Sequence, residues 1–215
     1  MCCFQFLFIF FSFSLAFAAA VQQKLDALTN GLSFRSEVPE NYSIVDIEWR
    51  GMPDFDVDHV FTGTLEDVIS QMQAIKGADY MPEFMLDSDA ADQNSTDELG
   101  FRADPNHHVS CGGPFARPGR IRLGIRYLKR LPDTVLCTNK RGPHSCGRIS
   151  CSWDSGIWWC NEKKVASDTY KCNMFAQYAK EIVELCGTLG FSSTVSGRNW
   201  DDVFDLLVRV KATSC

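Results

Sequence analysis

The sequence predicts an α+β protein: a disulfide-bridged split βαβ sandwich, two helices on one antiparallel sheet, preceded by a small acidic α/β segment. Three observations predict it. All cysteines beyond residue 3 lie in residues 111–215. In that stretch the apolar pattern runs strand, helix, strand, strand, helix, strand, the order of the split βαβ unit. Charge also divides the chain: residues 21–104 hold 18 acidic and 5 basic side chains, residues 105–130 hold 6 basic and no acidic ones, and residues 131–215 hold 10 basic and 9 acidic ones. The overall charge of −6 therefore conceals an acidic front and a basic middle. With 45% hydrophobic and 22% charged residues, the 215-residue chain is globular in composition and not disordered.

Residues 1–20 read as a secretory signal peptide. The apolar run from Phe4 to Ala18 is short for a membrane anchor, and small residues follow it, with cleavage expected after Ala18 or Ala20. No later stretch has membrane length, so the expected location is extracellular. Cleavage removes Cys2 and Cys3 and leaves Cys111, Cys137, Cys146, Cys151, Cys160, Cys172, Cys186 and Cys215. In an oxidising compartment eight cysteines make four disulfides, and spacing alone does not assign the pairs. Zinc is disfavoured because no Cys-x-x-Cys pair exists, and no cofactor motif is present.

The acidic region, residues 21–85, is a candidate pro-region. Ser43, Val45, Ile47 and Trp49 alternate with polar residues and predict one strand to Arg50; residues 58–62 predict a second. Thr64 with Asp67 makes a helix-capping sequence. Leu65, Val68, Ile69, Met72 and Ile75 then recur at helical spacing up to Gly77. Residues 86–106, rich in aspartate, read as a solvated acidic linker. The sequons at Asn41 and Asn94 are candidate glycosylation sites.

Residues 107–215 form the expected cysteine-rich domain. A strand is expected at 108–111. A helix is expected from Pro118 to Leu131, bounded by Pro132, although Ile121, Leu123, Ile125 and Tyr127 also fit period two. Strands at 148–153 and 157–161 flank the turn Asp154-Ser-Gly. A long helix is expected from Asp168 to Cys186, with Phe175, Tyr178, Ala179, Ile182 and Leu185 inward, and strands follow at 195–198 and 203–211.

The run Cys146-Gly-Arg-Ile-Ser-Cys-Ser-Trp, then Ile157-Trp-Trp-Cys-Asn, a helix holding Cys172 and Cys186, Val195-Ser-Gly and a terminal Val208-Arg-Val before the last Cys resembles small secreted cysteine-rich proteins of filamentous fungi. These are candidate effectors, and the architecture is similar to that of killer toxins and killer-toxin-like effectors. The resemblance implies a secreted factor that binds a host or competitor protein, membrane or glycan, and not a catalyst. It also implies dibasic processing, for which Lys129-Arg130 and Lys140-Arg141, on either side of Cys137, are the pairs present, and Lys129-Arg130 is the candidate site.

The expected binding surface is Arg117, Arg120, Arg122 and Arg126 together with Trp158 and Trp159, one tryptophan in the core and the other exposed or covered by a loop. An exposed tryptophan would suit a cell-wall glycan. The acidic composition argues against a duplex nucleic-acid partner. The alternative is a secreted hydrolase such as a ribonuclease. Its base, acid and phosphate-stabilising cation would come from Glu162, His108 or His144, and Arg148. Asp104, His107 and His108 offer too few ligands for a metal, since adjacent strand residues point apart.

Overall fold

The computed structural model describes residues 41–86, 104–165, 167–188 and 193–215. The expected signal peptide with Ala20, the sequon at Asn94 and most of the acidic linker lie outside these. The described chain is mixed α+β, with three helices, two sheets and four disulfides. In chain order the elements are β1 (Ser43–Ile44), β2 (Glu48–Arg50), β3 (Phe61–Thr62), α1 (Leu65–Lys76), β4 (His107–Ala116), α2 (Pro118–Arg130), β5 (Leu136–Asn139), β6 (Ser145–Ser152), β7 (Ser155–Asn161), β8 (Asp168–Lys171), α3 (Phe175–Cys186), β9 (Val195–Asp201) and β10 (Leu206–Ala212). Six strands form one sheet in the order β1-β6-β7-β10-β9-β4 and four form another, β3-β2-β5-β8. The expected single antiparallel sheet is thus two sheets, and β1 joins β6 in parallel.

The strand expected over Ser43 to Arg50 is divided between the sheets. Ser43 N–H donates to His144 O at 2.9 Å and Val45 N–H to Cys146 O at 3.0 Å. Two residues later Ile47 O accepts from Gly63, and Glu48, Trp49 and Arg50 pair with Thr138, Cys137 and Leu136 of β5. Gly147 permits this crossing: a Cβ there would lie 2.3 Å from the Ile47 side chain. Ile47 and Trp49 are fully buried in a core shared with Phe61, Leu65, Met72, Cys137 and Ile149.

This packing joins residues of the acidic segment to the cysteine-rich stretch. Residues 41–215 form one compact unit. A strand-strand-helix piece buries too little apolar surface by itself, and here its strands complete both sheets. Its helix α1 is also bonded across: Glu66 accepts from Ser150 Oγ at 2.7 Å and from the Cys151 N–H at 2.9 Å. Burial pushes the Glu66 carboxyl above the usual glutamate range, against those hydrogen bonds.

Helix α1 has the expected capping box, with Thr64 and Asp67 bonded reciprocally, and ends at Gly77. Ile75, expected inward, is exposed because it lies past the last turn that meets the core. Helix α2 forms over the expected residues, which settles the competing period-two reading of that stretch. The helix expected from Asp168 begins only at Phe175. Thr169 and Tyr170 suit a strand, and β8 pairs with β5, with Thr138 and Thr169 hydroxyls 2.9 Å apart. Leu185, expected inward on α3, is exposed near its end. The hairpin turn sits one residue earlier than Asp154-Ser-Gly: Trp153 and Asp154 take φ of 50° and 55° and connect Ser152 to Ser155 directly.

The disulfides pair Cys111 with Cys186, Cys137 with Cys172, Cys146 with Cys160, and Cys151 with Cys215. They tie β4 to the end of α3, β5 to the short 3-10 turn that precedes α3, β6 to β7, and β6 to the C-terminal residue. No described helix is long and apolar enough to cross a membrane.

Candidate functional site

Strand alternation gives the six-stranded sheet a helix-facing side and an open side. Trp159 packs against Phe175 of α3 at 5.0 Å between ring centres, and a Cβ at Gly197 would meet Ile182 and Cys186, so these residues face the helices. Their strand neighbours Trp158 and Arg198 therefore face the other way. The same alternation places His108, Trp200, Leu207, Arg209 and Lys211 on the open side.

At one edge of that open side three polar side chains converge. The Tyr42 hydroxyl donates to Glu162 Oε1 at 2.5 Å, and His144 Nδ1 lies 3.2 Å from Glu162 Oε2. The Tyr42 and His144 rings meet edge to face at 5.1 Å. Burial first, and then the hydrogen bond to Glu162, push the Tyr42 hydroxyl up to about 12, against the pull of Arg209 and Arg198.

Backbone pairing builds this group. His144 holds a left-handed φ of 60°, with its N–H donating to Asn161 O and its carbonyl accepting from Ser43 N–H, both at 2.9 Å. Left-handed backbone in a residue with a Cβ is costly. Here β1 and β7 fix it from both sides, which aims the imidazole at Glu162 on the last turn of backbone after β7.

Next along the open side, a cavity of about 360 Å³ is lined by Tyr42, His108, Ser110, Arg198, Trp200 and Leu207. His108 Nε2 is held 2.6 Å from Asp202 Oδ2, which fixes the ring orientation. Arg198 and Arg209 are direct cross-strand partners and carry positive charge between the Glu162 group and His108. The arrangement is a carboxylate with an attached histidine, two guanidinium groups, and a second histidine on the far wall. It can take a proton, stabilise developing negative charge and return a proton.

Several sequence expectations are corrected here. Arg148 is not part of the group: its guanidinium donates to Ser214 O and lies 5.6 Å over the Trp158 ring, held there by the β6–β7 register. Arg198 and Arg209 are the cations near the Tyr42–Glu162 pair instead. Trp158 and Trp159 do point to opposite faces, but both are 0% exposed, so neither offers a sugar-stacking platform. Trp158 is covered by Arg148 and Lys211, and Trp159 is in the helix-side core.

Trp153 at the hairpin turn is 62% exposed instead, with Arg120 stacked 4.7 Å from its ring. The other helix arginines are dispersed: Arg117 is at the N-cap of α2, Arg122 is exposed and Arg126 half-buried. Lys129 and Arg130 form the last turn of α2, ahead of buried Leu131. Asn41 is exposed beside Tyr42.

His107 and His108 diverge as expected of strand neighbours. His107 is buried between two carboxylates, 2.7 Å from Glu181 and 3.2 Å from Asp201, and stacks on Tyr178. Glu181 also accepts from Asn199 and Gln177, and Tyr178 donates to Asp201. Burial acts to raise Asp201, but its hydrogen bonds from Tyr178 and the Phe204 and Val203 N–H groups hold it below the usual aspartate range. This network locks β4, β9 and α3 together.

No protein-family model, curated protein or solved structure matches the chain. The site therefore has to be read from its own chemistry.

Sequence reasoning singled out Glu162, His144 and His108 but missed Tyr42, Arg198 and Arg209. Tyr42 was visible only as the middle of a sequon. A usable signal existed on β10 alone, where Arg209 and Lys211 alternate with Leu206, Val208, Val210 and Ala212; β9 has no such pattern, because Gly197, Asn199 and Asp201 alternate with Arg198.

Proposed function

We propose that the chain is a secreted ribonuclease-type protein that binds single-stranded RNA on the open side of the six-stranded sheet and cleaves it by attack of the ribose 2′-hydroxyl. The observation that carries this reading is the Glu162–His144–Tyr42 group beside two arginines and across a cavity from His108. Cleavage of this kind needs a base for the 2′-hydroxyl proton, cations for the charge that builds on phosphorus, and an acid for the 5′-oxygen. Glu162 is the base, oriented by Tyr42 and His144. Arg198 and Arg209 are the cations. His108, which lines the same cavity as Tyr42 and Arg198, is the acid, and Trp200 supplies a ring for a base to stack on.

Incubating the oxidised protein with single-stranded RNA is expected to give products with 2′,3′-cyclic phosphate ends. Glu162→Gln should lower the rate by about 10²–10⁴-fold, and an oligodeoxynucleotide of the same sequence should remain intact. Absence of turnover in the wild-type protein would refute the catalytic reading.

A second reading, the effector-like or killer-toxin-like factor of the split βαβ class that binds a host or competitor target, is favoured by one observation. Arg120 stacked on the exposed Trp153, with Phe115 exposed nearby in sequence, has the composition of an interface anchor. The two readings are compatible, because an RNA site and this hairpin patch use different residues.

A further inference from the structure

The positive charge beside the Glu162 group continues along the open side past the cavity that holds Tyr42 and His108. Arg198 of β9 and Arg209 of β10 stand directly opposite one another in the antiparallel register. Like charges in that position repel. Burial, and then the Arg198 charge, lower the Arg209 guanidinium from its ordinary range. Among the described residues no carboxylate comes within ion-pair distance of either side chain, although Glu162 lies near enough to favour the charged Arg209. Lys211, two residues along β10 on the same side, extends the row, its amine 5.4 Å over Trp158.

The backbone opposite these cations is shaped to leave space. β4 is irregular between Cys111 and Ala116, with Gly112 at φ 132° and Gly113 at φ 114°. These values disfavour any residue with a Cβ, yet nothing packs within 4 Å of a Cβ placed at Gly112. Packing against neighbours therefore does not explain that glycine; the backbone path does. Ser196 Oγ donates to Gly112 O at 2.9 Å, and the Cys111–Cys186 disulfide anchors the irregular stretch to α3. The result is a cavity of about 240 Å³ walled by Gly112, Gly113, Ser196, Arg198, Arg209 and Lys211, with Pro114 at its rim. It shares Arg198 and Ser110 with the cavity that holds Tyr42 and His108.

We propose that this cavity is a second phosphate site, which takes the phosphodiester next to the one at Glu162 and so makes the substrate class single-stranded polynucleotide and not a dinucleotide or cyclic nucleotide. The inference rests on the ribonuclease-type reading for its direction along the strand. Arg198 lines both cavities and Arg209 stands opposite it, so the pair lies between the two phosphates and serves both, and the open glycine backbone admits the sugar-phosphate chain without a side chain in its way.

Binding of fluorescein-labelled oligodeoxythymidylates, which lack the 2′-hydroxyl and are not cleaved, tests this by fluorescence anisotropy. The wild-type protein is expected to hold an 8-mer at least tenfold more tightly than a dinucleotide. Pro114→Glu, which puts a carboxylate on the exposed lining of the cavity without touching the core, should weaken the 8-mer about fivefold and leave the dinucleotide unchanged. Lys211→Gln, at a buried residue of the same lining, should act in the same direction.

Length-dependent binding without RNA turnover would leave the second site standing while the catalytic reading failed. RNA turnover with equal affinity for 2-mer and 8-mer, or an 8-mer affinity unmoved by both variants, would overturn the second site alone. If inorganic phosphate displaced the 8-mer equally well from wild type and Pro114→Glu, the cavity would not be the phosphate site and the inference would be lost.

Discussion

Replacing Trp49 with alanine tests whether residues 41–86 are part of the working fold or a detachable segment. Trp49 is completely buried, stands opposite Cys137 in the β2–β5 pairing and donates its indole N–H to Gly63 O at 2.9 Å. Truncating a buried tryptophan costs about 3–5 kcal/mol, and the orphaned Gly63 carbonyl adds about 1 kcal/mol. For a chain of this size each kcal/mol lowers Tm by about 2–4 °C, so a fall of roughly 8–24 °C is expected. The assay is thermal unfolding followed by circular dichroism with disulfides intact, on wild type and Trp49→Ala. One transition that moves as a whole is the expected result. An unchanged Tm, or two transitions of which only the lower one moves, would refute the argument that the acidic segment and the cysteine-rich part share one core.

The other expectations concern charge and cross-links. His107→Ala leaves Glu181 and Asp201 buried without the imidazole between them and should cost about 3–5 kcal/mol; a urea midpoint equal to wild type would show the network contributes nothing. Tyr42 has its hydroxyl raised to about 12 in the folded state against an ordinary value near 10. Its contribution is complete below about pH 10 and is lost as pH rises through about 12, so Tyr42→Phe should flatten the alkaline unfolding curve in that window; an unaltered curve would contradict the Glu162 contact. Digestion without reductant should yield the linked peptides Cys111–Cys186, Cys137–Cys172, Cys146–Cys160 and Cys151–Cys215, and any other linkage would displace the strand pairings described above.

Local signals carried well where one physical cause dominated. The Thr64–Asp67 capping box and Gly77 bound α1, and the prolines flank α2, because caps and breakers act through their immediate neighbours. The hairpin was legible to within one residue. What failed depended on partners distant in sequence. Thr169 and Tyr170 lie just before a helical apolar pattern but are drawn into β8 by β5, and nothing between residues 43 and 50 announces a change of sheet.

The site followed the same rule. Glu162 and His144 suggested themselves by chemical type, whereas Tyr42 reaches them only because β1 adds to β6 from about a hundred residues away. Arg148 had the right chemistry, but the β6–β7 register directs it to Trp158 and the C-terminal backbone instead.

The short passage from Ser43 to Arg50 has a consequence for which changes this chain can tolerate. Because it completes one sheet at its start and another at its end, its length is set at both ends, while most of its side chains are less constrained. A point substitution at exposed Asp46 should pass almost unnoticed. Deleting that same residue would turn Trp49 out of the core or pull Tyr42 away from Glu162, since three residues cannot become two and still satisfy both attachments. Variation in this segment is therefore open to changes of residue and closed to changes of length.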